Sequence, residues 1–205
     1  YTFEAPGSAE VVADPNAAAA DAATTREIKL VGVIGTGTMA TGIIEVFAKS
    51  GLDVVYVARS DEKVAKVRAA LEKSLDRAVS KGRLSEDDKA TILNRVCGTT
   101  AHEDLAKVDI VVEAIVEDLE TKKELFRTLD RVCKPGAILA TTTSSLSIDV
   151  LAAETARPAD VIGMHFFNPA PVMKLVEVVS GSATAQDVTD TTVALCKAVK
   201  KHPVL

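Results

Sequence analysis

The sequence predicts an α/β fold with a doubly wound, mostly parallel sheet. Three observations predict it. From Glu27 onward, apolar strand-like runs (IKLVGVI, DVVYVA, VDIVVEAI, AILATT and DVIGMHF) alternate with stretches of helical pattern, the mark of repeated strand-helix-strand units. The first two runs are joined by a glycine-rich turn that opens a helix-like segment, VIGTGTMATGIIEVFAKSG. After the second run, two long charged stretches, DEKVAKVRAALEKSLDRAVSKG and LSEDDKATILNR, are punctuated by Gly82 and read as a helical hairpin inserted between strands. Helices are expected over 38–50, 61–81, 85–95, 119–133 and 185–200.

The other bounds come from composition. At 205 residues the chain is large enough for one well-buried core and too short for two full domains. Residues 1–26 are rich in alanine, aspartate and small residues, broken by Pro6, Gly7 and Pro15, and read as a flexible leader or linker ahead of a domain spanning 27–205. The start on Tyr1 and the end at HPVL, directly after a helical pattern, read as a piece cut from a longer protein. The net charge of -5, from 24 basic and 29 acidic residues, argues against a nucleic-acid partner. No apolar run approaches the ~20 residues of a membrane helix and no signal peptide opens the chain, so a soluble cytoplasmic protein is expected. Cys97, Cys133 and Cys196 lie far apart without metal-binding spacing, so buried free thiols are expected rather than disulfides or a metal site.

The glycine turn has the pattern GxGxxA between a strand and a helix, the context in which such a turn cradles a dinucleotide. Gly35 permits the tight turn, Gly37 lets the backbone approach a pyrophosphate, and the small Ala40 lets helix pack on strand. Thr38 and Met39 lie in the helix's first turn, where unpaired N–H groups and the dipole's positive end face the anion. The unit is Rossmann-like. About twenty residues past the turn, where a NAD site commonly places an acid on the ribose hydroxyls, this sequence has Ala58, Arg59 and Ser60. A carboxylate there would repel a 2′-phosphate, whereas a guanidinium can clamp one with paired, charge-assisted hydrogen bonds. NADP(H) is therefore favoured over NAD(H).

Three downstream segments, VVEAIVEDLETKKELF, ATTTSSLS and MHFFNPAPVMKLVEVV, read as site material. Together with the glycine turn they resemble the nucleotide-binding domain of the 3-hydroxyacyl-CoA dehydrogenase family, its 3-hydroxybutyryl-CoA branch included. The likeness runs from about Ile28 to the end of the chain and is carried most specifically by HFFNPAPVMKLVEVV. His165 stands at the end of a strand, where open parallel sheets place ligand groups, and histidine titrates near neutrality, as a general base must. Glu177 is the lone acid in the apolar run KLVEVV; buried there, it needs a partner, and His165 would be one. The resemblance makes these two the catalytic pair. It also implies that Ser144 hydrogen-bonds the reacting oxygen, that Asn168 lies beside the substrate, and that Glu117 and Lys122 flank the nicotinamide ribose and ring. Ser74 and Lys81, about two turns apart on one helix face, would meet the CoA portion. Ser145 and Ser147 read as caps of the next helix.

The sequence departs from the family at Ala58 in place of the acid, Ala40 in place of a third glycine, and Thr142 in place of an asparagine. The family completes its site with an asparagine from a GFIVNR-like segment, followed by an all-helical dimerising domain; both lie beyond these residues. The resemblance implies hydride transfer between NADP(H) or NAD(H) and a short-chain 3-hydroxyacyl-CoA/3-oxoacyl-CoA pair, in fatty-acid metabolism of the β-oxidation type. The full-length protein would be a homodimer, and this piece alone a poor catalyst. The alternatives are a dehydrogenase of another hydroxy acid and a non-catalytic nucleotide-binding module.

Overall fold

A computed structural model describes residues 25–205. The first half runs β1 (Leu30–Ile34), α1 (Thr38–Lys49), β2 (Asp53–Val57), α2 (Asp61–Ser80), α3 (Glu86–Asn94), β3 (Val96–Thr99) and β4 (Ile110–Glu113). The second runs α4 (Leu119–Val132), β5 (Ile138–Thr141), α5 (Ile148–Ala152), β6 (Val161–Phe166), β7 (Leu175–Ser180), α6 (Gln186–Ala198) and β8 (His202–Val204). One sheet orders them β3-β2-β1-β4-β5-β6-β7-β8. The strands from β3 through β6 are parallel; β7 reverses against β6, and β8 runs parallel to β7. This is the Rossmann-like sheet, with its chain direction switching sides between β1 and β4.

Parallel strands are connected by helices that cover both sheet faces, so each strand must be apolar on both sides. Val31, Val33, Ile110 and Val112 point into one core with Ile43, Phe47, Leu71 and Leu75 from α1 and α2. Ile34, Val111 and Leu139 point into the other with Phe126 and Leu129 from α4. The helical hairpin is α2 and α3, and Gly82 closes the first of them in the left-handed region (φ 70°), with its N–H donating to Val79 O. Ser60, Ser85, Asp118 and Ser147 cap α2, α3, α4 and α5 through their side chains. Ser145 does not cap: its N–H instead reaches the Thr143 hydroxyl.

Some expectations change in the folded chain. Residues 1–24 of the expected leader lie outside the described residues, but Arg26 is anchored to the domain. Its N–H donates to Thr191 Oγ1 (2.8 Å), and its guanidinium pairs with Asp160 (2.8 Å) and Asp187 (2.9 Å). Cys133 and Cys196 are buried, and desolvation pushes their thiols up to about 11 and about 12. Cys97 is exposed instead, because β3 is an edge strand. No described helix is long and apolar enough to cross a membrane.

Candidate active site

The register of the sheet draws the site along one edge. Ile34, Glu113 and Thr141 lie side by side at the carboxyl ends of β1, β4 and β5, with Gly163 of β6 next to them, two residues before His165. Loops leaving those ends therefore meet beside the switch point, where open α/β sheets bind ligands.

At the β1 end, Gly35 turns with φ 138°, and a Cβ there would lie 2.7 Å from Ala114 O and 3.1 Å from the Ala40 methyl. The close approach explains both the glycine and the small residue at position 40. Gly37 has open space where its Cβ would be, so its backbone faces the groove unobstructed. Unlike its capped neighbours, α1 has no side-chain cap, which leaves its first N–H groups for an anion. Thr38 is exposed, while the Met39 side chain packs partly against the core and its backbone N–H stays in the uncapped first turn. The groove over β1, β2 and β4 measures about 760 Å³ and takes in Gly35, Gly37, Ala58, Arg59 and Lys63. These features fit a dinucleotide. Replacing Gly35 by alanine is expected to cost about 1–3 kcal/mol of backbone and contact strain and to weaken nucleotide binding, as read by titration with NADPH.

Ala58 is buried and Arg59 is exposed at the groove's rim. Ser60 is engaged as the α2 cap, accepting from Lys63 N (3.2 Å), and keeps its own hydroxyl proton to donate. Lys63 adds a second cation to this end of the groove. No motif marks it; it lines the groove from the first turn of α2.

Past β4, Glu117 and Lys122, expected beside the nicotinamide ribose and ring, belong to an ion network with Glu113. Lys122 is 1% exposed, its Nζ 2.8 Å from Glu113 Oε1 and 3.3 Å from Glu117 Oε1. Glu113 is fully buried and also accepts hydrogen bonds from the Thr141 hydroxyl and from Ile115 N–H. Its burial pushes the carboxyl above the usual range, against the pull of Lys122. Glu117, exposed at the network's outer end, is held below that range: partial burial works against its charge, but a hydrogen bond from Thr143 and the nearby Lys122 outweigh it. Thr143 Oγ1 donates to Glu117 Oε1 (2.7 Å) and accepts from Leu146 N–H (3.0 Å), while Ser144 N–H donates to Glu117 Oε2 (3.3 Å). The loop that presents exposed Ser144 is thus held in place by Glu117.

At the end of β6, His165 sits directly opposite Glu177 of β7, with Nδ1 3.4 Å from Glu177 Oε2. The ring is also packed against Phe167, centroids 4.8 Å apart. A carboxylate only accepts, so this pairing places the ring hydrogen on Nδ1 and turns the Nε2 lone pair outward. Glu177 is not buried as expected: its side chain is 47% exposed, because β7 alternates, with Val176 and Val178 inward and Glu177 outward. Exposed Asn168 follows two residues after Phe166.

The CoA-contact candidates separate. Ser74 Oγ donates to Glu45 Oε1 (2.6 Å), a strut between α2 and α1, so its proton is engaged while its oxygen can still accept. Lys81 is exposed at the end of α2.

The sequence profile described as "3-hydroxyacyl-CoA dehydrogenase, NAD binding domain" matches residues 30–205. The chain belongs to the 3-hydroxyacyl-CoA dehydrogenase family. It is 49% identical over 172 residues to a 3-hydroxybutyryl-CoA dehydrogenase of Clostridioides difficile, covering 84% of this chain and 61% of that protein. With the 3-hydroxyadipyl-CoA dehydrogenase of Escherichia coli K12 it shares 44% identity, over 86% of this chain and 37% of that one. The crystal structure of an Escherichia coli 3-hydroxybutyryl-CoA dehydrogenase superposes with a TM-score of 0.86 at 44% identity, covering 87% of this chain and 38% of that one. The counterpart from Ralstonia eutropha gives 0.85 at 43%, covering 87% and 63%. The chain spans about three fifths of the length of the 3-hydroxybutyryl-CoA dehydrogenases it matches in Clostridioides difficile and Deinococcus radiodurans.

Within this family member, Glu113 and Thr143 organise the site though no residue string singled them out. Glu113 carried a signal: it is an acid closing the apolar run IVVE, as Glu177 is within KLVEVV. Thr143 carried none, since a threonine's hydroxyl is assigned only once the loop around it is folded.

Proposed function

We propose that the protein transfers a hydride reversibly between a nicotinamide cofactor and carbon 3 of a short-chain 3-hydroxyacyl-CoA/3-oxoacyl-CoA pair. The observation that carries this reading is the facing pair His165 and Glu177, at the carboxyl edge that also holds the glycine turn and Ser144. Bound nicotinamide supplies the hydride acceptor, or the donor in the reverse direction. The chain's own residues handle the proton and the oxygen. His165 Nε2 accepts the proton of the C3 hydroxyl, and Glu177 at Nδ1 holds the tautomer and stabilises the imidazolium that results. Ser144 donates to the same oxygen, and Asn168 lies beside the substrate. In the reducing direction, protonated His165 returns the proton as the alcohol forms. Glu117 keeps the Ser144 loop in register with the cofactor end, and Ser74 and Lys81 are the candidates for the CoA portion. The test is NADPH oxidation with acetoacetyl-CoA by the full-length protein; no turnover there would defeat the assignment.

In the same proposal NADP(H) is preferred to NAD(H). Its support is the absent acid at Ala58 together with Arg59 and Lys63, two cations at one end of the groove where a 2′-phosphate would need them. Arg59→Ala is expected to raise KM for NADPH about 10- to 100-fold, the worth of one charge-assisted hydrogen-bond pair, and to leave KM for NADH nearly unchanged. Steady-state kinetics with both nucleotides decide it; a wild type that prefers NADH overturns the preference. Dimerisation through chain outside these residues and a cytoplasmic location belong to this proposal on family grounds.

A further inference from the structure

The loop that leaves β6 with Asn168 is fastened by a lysine outside the catalytic set. Lys201 is 8% exposed, and its Nζ donates to the carbonyls of Ala170 (2.6 Å) and Met173 (2.7 Å). As one of two lysines in VKKH it reads in sequence as a solvated charge. It turns inward because Lys200 adopts φ 62°, and because Lys201 N–H donates to Cys196 O (2.8 Å), swinging the chain off α6 into β8. His202 N–H then donates to Lys174 O (2.7 Å) at the loop's far end. On the loop's opposite side, a Cβ at Gly42 would lie 3.0 Å from Pro171 Cδ and 3.1 Å from Ala170 Cβ, so the loop rests on α1, the helix that opens the glycine turn. Within the loop, Val172 and Met173 N–H both donate to Pro169 O (3.0 and 2.9 Å).

A buried ammonium is costly unless its donors are used. Here burial first, then the nearby charges of Lys174 and Lys49, lower the affinity of Lys201 for its proton. A methionine would fill similar space without that cost, but it would leave the Ala170 and Met173 carbonyls without their donor. The charge therefore serves the loop's geometry rather than the core's cohesion.

We propose that Lys201 is a positioning residue, holding the loop from Asn168 to Lys174 in the shape that receives the acyl-CoA substrate beside His165; this rests on the functional reading above. In the full-length protein, Lys201→Met is expected to speed hydrogen exchange at Val172 and Met173 about tenfold and to raise KM for acetoacetyl-CoA about tenfold. Exchange in β1 and α1, and the Kd for NADPH, stay within about twofold. A folded variant with unchanged loop exchange and unchanged KM overturns the proposal, as does a loss spread evenly over nucleotide affinity and core exchange. Where Lys201→Met does not fold, Lys201→Gln, which keeps N–H donors on an uncharged head, is expected to give the same pattern at smaller size. A wild type that turns over no acyl-CoA defeats the functional reading instead, and the loop exchange then decides the fastening by itself.

Discussion

His165→Gln in the full-length protein is expected to lower kcat with acetoacetyl-CoA and NADPH by about 10²- to 10⁴-fold, the usual worth of a positioned general acid–base group. Glutamine keeps a donor to Glu177 and much of the ring's volume, so the fold and the groove should be unaffected, and NADPH titration should give the wild-type affinity. The ring contributes a proton acceptor at Nε2 that no neighbour in the described structure replaces: Ser144 is a hydroxyl, and Asn168 does not titrate. Glu177→Gln is expected to act in the same direction but less strongly, because its carboxylate is half exposed and acts on the ring rather than on the substrate. Wild-type turnover in His165→Gln would remove the catalytic assignment outright.

Lys122→Met is expected to destabilise the domain by about 3–5 kcal/mol, since it leaves the fully buried Glu113 without its cation. For a domain of this size that corresponds to a fall in Tm of roughly 6–20 °C. The comparison that isolates the cause is Lys122→Met combined with Glu113→Gln. Removing the charge as well as its partner should restore a large part of the loss, and a double variant no more stable than Lys122→Met alone would refute the ion-pair account. The pH dependence has a definite sign. Burial makes Glu113 hold its proton more tightly in the fold than in the unfolded chain. Through the window from the ordinary carboxylate range up to the raised folded value, the folded state binds more protons, so stability falls as pH rises. The cost of ionising Glu113 is absent below that window and fully present above it. Lys122→Met enlarges it, so the gap between variant and wild type should be widest near neutrality and narrow in acid.

The two effects separate the site into a working surface and its foundation. His165, Glu177, Ser144 and Asn168 stand exposed or half-exposed along the carboxyl edge, where they can meet a substrate. Behind the Ser144 loop, Glu113 and Lys122 form a buried ion pair whose outer partner, Glu117, bonds to the Thr143–Ser144 loop. Lys201 does for the Asn168 loop what Glu117 does for the Ser144 loop. Both loops leave adjacent strand ends, so small shifts in either would separate the groups proposed to act on one oxygen.

What the sequence determined by itself was whatever depends on neighbours along the chain. Alternating strand and helix patterns, the glycine turn, the Gly82 stop and the cap at Ser147 are local demands of backbone geometry, and they were legible as such. So was the strand-end position of His165, whereas its reading as a general base came from the family resemblance of HFFNP. The tertiary structure alone decided what depends on residues far apart in sequence. The short strand β3, containing Gly98, and the three-residue β8 exist because an already formed sheet offers them an edge. Register placed Glu177 opposite His165 yet left it half exposed, turned Lys122 and Lys201 inward, and joined Ser74 to Glu45. A charged side chain's burial is settled by whether partners arrive from other elements, and no local pattern carries that information.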